Sequence, residues 1–492
     1  MAKPEVTPTR RYPRNDGYIG MMFHRYDQRG IPSHINAVVE LGGDVSLDEL
    51  TRVVDEKLLR RFPRWRGHVS PHDEHHWIVP ESVDPASYIE EVPFVHGDFR
   101  EAVMQHVSSR FNDPLPDGCS WQVHKLSGVG QTALFFRISH TIADAVLILA
   151  ILNTVFEKDE DATPQLAAGS GGGGARRPGV CERLGAMIGG LWSTLTLPCM
   201  RDDPPTPIRL GPSEWQRRAD LREQRGVESQ GAGFGLAEPV SVDLVKRVAK
   251  SHGATLNDIV LAAIAEGIRT YINDVQVDTG SSPPPQDLTL TATMLFNPRP
   301  QKPSSATGAL NGTERLLADY AEMRGQGCDV TGAFVPLPCG DMPFSDRLER
   351  VNAATRRMKL SGAPLMQRSA NNLLHQCFGT SFIVRFGDYV FGKTSINISS
   401  AIMPKTAVKI CGVPVTAMYA AAAPMHYGAS VQFHSYNGEL RIVAVTDKET
   451  VNAGTLANLV RAALIEACKC DEKSKSWVDT ELDRIRNAGE AV

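Results

Sequence analysis

The stretch that decides the fold is residues 139–145, which read SHTIADA. In front of it, Thr132–Ser139 is rich in apolar residues and predicts a β-strand. Behind it, Val146–Phe156 is an apolar stretch of helical length. His140 is therefore expected in the turn between a strand and a helix, with the carboxylate of Asp144 four residues further on.

A histidine in such a turn points to acid–base chemistry. Transfer of an acyl group to a hydroxyl needs a base of near-neutral pKa within about 3 Å of the attacking oxygen, and imidazole meets this need. We expect His140 to act as general base and Asp144 to hold the loop or fix the ring. On the H-x-x-x-D pattern alone, a structural histidine beside a strand remains the alternative.

Helices and strands are predicted on both sides of this turn. Before it, His34–Leu41 alternates as a strand, and Leu47–Phe62 has helical spacing after Ser46, a suitable N-cap. After it, further helices and strands are predicted at Val242–Ser251 (helix), Thr255–Ile272 (helix), Leu288–Phe296 (strand), Val431–Tyr436 (strand) and Leu440–Val445 (strand). Asn437-Gly438 joins the last two strands and is a strong hairpin signal. Mixed elements in both halves predict an α/β fold built twice.

The composition divides the 492 residues into two halves, since so long a chain exceeds one compact core. Gly169–Gly179 reads GSGGGGARRPG, which is typical of a flexible linker, and Pro204–Pro212 is rich in proline. We predict an N-terminal lobe at 1–160, a Gly/Pro-rich linker and crossover at 161–212, and a C-terminal lobe at 213–492.

Charge and cysteine content limit the class of protein. The net charge is -4, and charged residues make up 22% of the chain, as in an ordinary globular protein without a nucleic-acid partner. Nine scattered cysteines show no zinc or haem spacing and indicate reduced thiols in the cytoplasm. Met1–Tyr18 has no apolar core, so no secretory signal is expected.

The apolar stretches are too short to span a membrane. A transmembrane helix needs about 20 apolar residues, which Ala143–Phe156 and Cys411–Met425 do not reach. Leu184–Met200 carries several large apolar residues and is a candidate for peripheral contact with a membrane or lipid droplet. A helix packed on the protein is the alternative reading of this segment. The oligomeric state stays open.

Two further clusters have candidate roles. His72–His76 reads HDEHH, which holds metal-ligand residue types but lies between probable strands, where we expect a solvated turn and no metal. Arg299 follows a strand and could bind a CoA phosphate, pair with Asp144 or lie in a plain surface loop. The sequence contains no G-x-S-x-G elbow, Walker loop or Rossmann fingerprint.

With its flanks, the 139–145 segment resembles the H-H-x-x-x-D-G motif of the bifunctional wax ester synthase/diacylglycerol acyltransferase family. The second motif histidine aligns with His140. Other segments resemble family counterparts in the same order, and they cover most of the chain: Asn15-Asp16, Arg60–Gly67, Asp113–Trp121, Thr206–Gly211, Gly253–Ile272, Ser395–Asn397, Gly412–Val415, Ser435–Leu440 and Asp447.

The chain departs from the family pattern at several positions. Ser139 replaces the first motif histidine, and Ala145 replaces the motif glycine. Cys119-Ser120 precedes Trp121 where the family shows proline-leucine, and Ile398–Ala401 lacks its valine-proline-glycine-proline. The residue that would act as base is retained.

The resemblance implies a fold like that of chloramphenicol acetyltransferase and peptide-synthetase condensation domains, with two α/β lobes and a central substrate tunnel. It implies transfer of a fatty acyl group from acyl-CoA, as co-substrate, to diacylglycerol or a long-chain alcohol, with no cofactor. An acyltransferase or condensation enzyme for a secondary-metabolite alcohol or amine is the first alternative. A non-catalytic lipid-binding protein is the second.

The resemblance also implies a set of site residues. His140 and Asp144 would be catalytic, and the residues expected near the substrate are Ser139, Trp121, Asn257, Asp258, Asn397 and Arg299. Three of these residues also have a structural alternative. Asp258 could form a capping box with Thr255, Trp121 could be a core residue, and Asn397 could be a turn residue.

Overall fold

The structure is a computed structural model that describes residues 8–31, 33–94, 97–128, 130–157, 180–209, 232–279, 285–299, 312–448, 450–470, 475–476 and 478–480. The predicted linker at Gly169–Gly179 lies outside these residues. The described strands are β1 (Thr9–Pro13), β2 (His34–Leu41), β3 (His68–Val69), β4 (His76–Pro80), β5 (Ile89–Pro93), β6 (Trp121–Gly128), β7 (Gln131–Ser139), β8 (Gly233–Leu236), β9 (Val240–Ser241), β10 (Thr289–Phe296), β11 (Thr331–Pro338), β12 (Ile396–Ile402), β13 (Lys409–Ile410), β14 (Val413–Ala422), β15 (Ala429–Tyr436) and β16 (Glu439–Thr446).

The described α-helices are α1 (Tyr18–Gln28), α2 (Leu47–Val53), α3 (Phe99–Arg110), α4 (Ala145–Val155), α5 (Val180–Leu195), α6 (Val242–Ser251), α7 (Leu256–Thr279), α8 (Gly312–Ala321), α9 (Phe344–Ser361), α10 (Ala363–Phe391) and α11 (Ala453–Ala467). The predicted cap of α2 is present, because the Ser46 hydroxyl accepts from the backbone N–H of Glu49. A π-helical segment, Val54–Leu59, continues α2. The helix predicted at Leu47–Phe62 is therefore confirmed, and its second half, up to Leu59, is π-helical.

The chain folds into two units. Unit 1 comprises residues 1–168, 297–330 and 403–420, and unit 2 comprises 169–296, 331–402 and 421–492. The sequence analysis predicts two lobes that are each continuous in sequence. In the structure, unit 1 also includes two later segments, residues 297–330 and 403–420.

Strand pairing accounts for one of these late segments. In unit 1, a six-stranded sheet has the order β13-β14-β2-β7-β6-β5. The β14 strand comes from residues 403–420 and extends this sheet at β2, where the backbone N–H of Gly42 donates to the Pro414 carbonyl at 2.9 Å. The late segment therefore completes the edge of a sheet that the first 140 residues begin.

The six-stranded sheet places the histidine turn at the end of a buried strand. Strand β7 pairs antiparallel with β2, and the register sets Ser139 opposite His34. Apart from Gln131 at its exposed start, every residue of β7 is buried. The predicted strand at Thr132–Ser139 and helix at Val146–Phe156 are both confirmed. Each begins one residue earlier than predicted.

Unit 2 is built on a sheet of order β11-β10-β12-β15-β16-β8, with β9 also paired to β16. The helices predicted at Val242–Ser251 and Thr255–Ile272 are confirmed as α6 and α7, and α7 contributes fully buried Ile259, Ile264 and Ile268 to the core. The predicted hairpin is also confirmed. Asn437 and Gly438 adopt φ values of 46° and 82°, as a type I′ turn requires.

Two long helices of unit 2, α9 and α10, have no counterpart among the sequence predictions. Helix α9 keeps an apolar face, with Leu348, Val351 and Met358 packed in or against the core, whereas large apolar residues of α10 such as Leu373 and Phe378 are exposed. Helix α10 is also bent at Gly379, whose φ of 79° is non-helical. Within the described residues, no helix has both the length and the hydrophobicity that crossing a membrane requires.

Candidate active site

The turn after β7 is fixed by backbone bonds at both ends. The N–H of Ser139 donates to the Ser120 carbonyl at 3.0 Å, and the N–H of Ile142 donates back to the Ser139 carbonyl at 3.1 Å. Asp144 then caps α4, because its Oδ1 accepts from the N–H of Leu147 at 3.0 Å. His140 is held between a strand end and a helix cap, as the sequence predicts.

The His140 ring is buried rather than open to solvent. Only 6% of its surface is exposed. Phe23 of α1 stacks on it, with 4.3 Å between ring centroids and 10° between planes. The Sγ atom of Cys328 lies 4.0 Å from its Nδ1.

Burial controls the protonation of His140. Desolvation, and secondly the neighbouring His34, lower the pKa of His140 to about 3. The imidazole is therefore neutral near pH 7, and one ring nitrogen carries a lone pair that can accept a proton. The site holds the form of histidine that a general base needs.

The Asp144 carboxylate is fully buried and binds the loops rather than the ring. Its Oδ1 caps α4, and its Oδ2 accepts from the N–H of Asp329 at 2.8 Å. Its own N–H donates to the Gly327 carbonyl at 3.1 Å. Of the two roles expected for Asp144, these bonds support holding the loop.

Arg299 lies beside this carboxylate. Its Nη1 is 2.7 Å from Asp144 Oδ2, and its Nη2 is 3.5 Å from the Gly327 carbonyl. Of the three possibilities left open by the sequence, the structure shows the pairing with Asp144. A buried ion pair of this kind fixes geometry more than it adds stability.

Ser139 replaces the first motif histidine and makes its own bonds. Its hydroxyl donates to Asp27 Oδ2 at 3.1 Å and accepts from the N–H of Thr141 at 3.2 Å. Asp27 also accepts from the Ser33 hydroxyl at 2.7 Å, and its Oδ1 is 3.9 Å from Nε2 of His34. Ser139 thus ties the histidine turn to α1.

Trp121, also expected near the substrate, lies in the core of unit 1. It is fully buried, and its indole N–H donates to the Trp65 carbonyl at 2.7 Å. The ring stacks on Tyr88 and meets Trp65 edge to face. This packing favours the structural alternative for Trp121.

The remaining predicted site residues belong to unit 2. Asp258 forms the capping box of α7, since Oδ2 accepts from the N–H of Thr255 at 2.9 Å and the Thr255 hydroxyl accepts from the Asp258 N–H at 3.3 Å. Asn257 is half-buried in the same turn. Asn397 is buried on β12, with Nδ2 donating to the Ser430 hydroxyl at 3.3 Å. A substrate role for these three residues remains a prediction.

The HDEHH segment forms the turn before β4. His76 Nδ1 lies 2.6 Å from Asp73 Oδ2, and Glu74 pairs with Arg25 at 2.9 Å. Within the part of the chain that the structure describes, no group of three potential metal ligands is found.

Sequence reasoning did not identify three neighbours of the turn, namely Phe23, Asp27 and Cys328. Each is brought to residues 139–140 by tertiary packing alone, over a separation of more than a hundred residues. An apolar stretch at Tyr18–Phe23 was the available signal for α1. No local pattern distinguishes Cys328 from the other cysteines.

Solved structures share this fold. A wax ester synthase/diacylglycerol acyltransferase from Marinobacter aquaeolei VT8 aligns with a TM-score of 0.61 over 93% of this chain and 99% of that chain, at 14% identity. The first condensation domain of the calcium-dependent antibiotic synthetase aligns with a TM-score of 0.53 over 94% and 96%, at 12% identity. The predicted two-lobed, chloramphenicol-acetyltransferase-like α/β fold is confirmed, and the central tunnel stays a prediction.

Sequence comparison adds matches to one family. Residues 326–467 match the family model of the WS/DGAT C-terminal domain. Wax ester synthase/diacylglycerol acyltransferase 2 of Arabidopsis thaliana is 22% identical over 222 residues, which are 43% of this chain and 44% of that protein. The chain spans about half the length of the curated relatives it matches. The resemblance of the chain to the wax ester synthase/diacylglycerol acyltransferase family is therefore confirmed.

Proposed function

We propose that the protein transfers a fatty acyl group from acyl-CoA to the hydroxyl of diacylglycerol, a long-chain alcohol or both. The observation that carries the proposal is the neutral, buried His140, held at the end of β7 in a chain with a WS/DGAT C-terminal domain. The products would be triacylglycerol and wax ester. The names of the relatives support this substrate class.

His140 would act as the general base. The proton of the acceptor hydroxyl passes to the imidazole, while the oxygen attacks the thioester carbonyl and forms a tetrahedral intermediate. The carbon–sulfur bond then breaks, and the leaving CoA thiolate takes the proton from the imidazolium. Ester and free CoA are released, and His140 is neutral again.

The low pKa of His140 has a consequence for this step. An imidazolium is unfavourable in the buried site of the resting protein. The oxyanion of the tetrahedral intermediate is a nearby negative charge, which favours the protonated ring. Proton transfer would therefore be coupled to attack on the thioester.

A second candidate function is transfer to a secondary-metabolite alcohol or amine on the same fold. It is supported by the departures at Ser139 and Ala145 and by the likeness to a condensation domain. In the third candidate, a non-catalytic lipid-binding protein, His140 would be a buried structural residue.

One experiment separates the three. Purified protein is incubated with radiolabelled palmitoyl-CoA and, in turn, with a diacylglycerol, hexadecanol and a panel of other alcohols and amines, and products and CoA are measured. We expect triacylglycerol or wax ester from wild type, loss of at least a hundredfold in His140→Ala, and full activity in His72→Ala, whose side chain is exposed. Turnover of panel compounds alone would favour the second function, and no CoA release from any acceptor the third.

We also propose that unit 2 contacts an anionic lipid surface through α5. Large apolar residues with high exposure follow one side of this helix at Leu184, Met187, Ile188, Leu191, Trp192 and Leu195. On another side, Gly190 is so close to α9 that a Cβ there would lie 2.5 Å from the Ser361 carbonyl oxygen. Helix α5 is therefore packed on one side and apolar on the other.

Charge near this helix indicates the kind of lipid. Helices α9 and α10 pack against α5 and add exposed Phe378 and Leu373. Apart from the buried Arg347, residues 344–393 contain seven lysines and arginines against three acidic residues, in a chain whose net charge is -4. An apolar face with basic flanks fits a membrane or droplet coated with anionic phospholipid.

A further inference from the structure

The segment Gly327–Asp329 is fastened to the histidine turn on both sides of Cys328. The Gly327 carbonyl accepts from the N–H of Asp144 at 3.1 Å, and the N–H of Asp329 donates to the Asp144 carboxylate at 2.8 Å. At Gly327 the two chains are too close for a side chain, because a Cβ would lie 2.3 Å from the Ile142 carbonyl oxygen. The backbone thus holds the Cys328 side chain against His140.

The thiol at this position is buried and uncharged. Cys328 is fully buried, and burial, followed by the nearby Asp144, raises the pKa of its thiol well above the usual value. Its Sγ lies 4.0 Å from Nδ1 of His140. Among the described residues, this thiol is the side chain within hydrogen-bond reach of a ring nitrogen of His140.

We propose that Cys328 is a positioning residue whose Sγ accepts the Nδ1–H of His140. A neutral imidazole carries its proton on one nitrogen only, so a proton kept on Nδ1 leaves the lone pair on Nε2. Nε2 is then the atom that takes the proton of the acceptor hydroxyl. The inference rests on the proposed acyl transfer, for which it assigns the reactive nitrogen.

Phe23 completes the orientation of the ring. Its stacking restricts rotation of the imidazole plane, whereas it offers no hydrogen-bond acceptor in that plane. The choice between the two ring nitrogens is therefore left to the thiol. Because sulfur is a weak acceptor and 4.0 Å is a long contact, we expect an effect of about three- to tenfold on kcat.

Two substitutions of nearly equal size test the role. Cys328→Ala removes the acceptor, and Cys328→Ser removes a similar volume but keeps an oxygen that can accept. We expect kcat to fall about three- to tenfold in Cys328→Ala with KM unchanged, and Cys328→Ser to recover most of that loss. Cys339→Ala, at another buried free cysteine, is the matched control and should keep wild-type kcat.

The tautomer is read directly from long-range ¹H–¹⁵N correlations of histidine-labelled protein, with His140→Gln to assign the signal. We expect an Nδ1–H ring in wild type and a mixture in Cys328→Ala. Equal kcat in the alanine and serine variants, an Nε2–H ring in wild type, or an acyl thioester trapped on Cys328 would overturn the inference. If wild type acylates no acceptor, the proposed function fails, while the tautomer measurement still decides this inference.

Discussion

The guanidinium of Arg299 and the carboxylate of Asp144 lie 2.7 Å apart, and the carboxylate is fully buried. This pair joins the segment that follows β10 to the helix cap behind His140. It therefore fixes the loop that carries the base.

Asp144→Asn should destabilise the protein by about 3–5 kcal/mol, because it leaves the Arg299 charge without its partner in a largely buried place. The asparagine can still cap α4, but it also loses the Oδ2 that accepts from the Asp329 N–H, so only the coupling with Arg299→Met isolates the ion pair. Urea unfolding of Asp144→Asn, Arg299→Met and the double variant gives the coupling energy. Additive effects of the two substitutions would show that the pair is not coupled. Arg10→Ala, from an exposed pair, should leave the midpoint unchanged.

Ser139→Ala should lower kcat several-fold, because it removes the donor to Asp27 and the acceptor for the Thr141 N–H. The loss of the two bonds corresponds to about 1 kcal/mol, a low value because Asp27 is partly exposed. Ser139→Thr keeps the hydroxyl and should retain most of the activity. Steady-state kinetics with saturating acyl-CoA measure both variants. Equal activity of wild type and Ser139→Ala would show that the bond to α1 does not order the turn.

Stability should fall as the pH drops below 6.5. The pKa of His140 is lowered to about 3 in the folded protein, so below pH 6.5 the unfolded chain binds a proton that the folded one does not. By pH 5 this costs about 2 kcal/mol for His140. His140→Gln should reduce the change in unfolding free energy between pH 7 and pH 5 by that amount, whereas His72→Gln should not. A wild-type pH dependence in His140→Gln would contradict a neutral, buried ring.

Ile188→Glu combined with Trp192→Glu should weaken binding to vesicles that contain anionic phospholipid by at least tenfold. The two residues are 62% and 68% exposed, one helical turn apart on the apolar side of α5. Gln105→Glu with Ser109→Glu adds the same charge at the same spacing on α3 and should bind like wild type. Vesicle flotation measures binding, and sedimentation measures self-association. A dimer that dissociates in the Ile188/Trp192 variant, without vesicle binding in wild type, would assign this face to a second copy.

Local patterns in the sequence were sufficient for the elements around His140. The strand and helix on either side of it, the Ser46 cap and the Asn437-Gly438 hairpin each depend on neighbouring residues, and each was predicted correctly. The sequence offers pairing with Asp144 as one of three possibilities for Arg299, and the structure shows that pair.

The parts that could not be predicted depend on tertiary packing. Cys328 reaches His140 only because Gly327 allows two backbones to touch, and nothing near Cys328 in sequence records that approach. Helix α10 exposes large apolar residues such as Leu373 and Phe378, which hide its buried face in the sequence, whereas α9 has Leu348, Val351 and Met358 at helical spacing and was open to prediction. The family resemblance implies that Trp121 lies near the substrate. In the structure, Trp121 packs in the core against Trp65 and Tyr88.

The pairing of β14 with β2 has a consequence for synthesis of the chain. Strand β2 ends at Leu41, and its neighbour on that side begins at Val413, so the ribosome makes about 370 residues between the two. Until then, β2 presents an open row of backbone donors and acceptors to other nascent chains. We expect a fragment ending at residue 160 to aggregate, and addition of a peptide spanning 403–420 during refolding to reduce that aggregation.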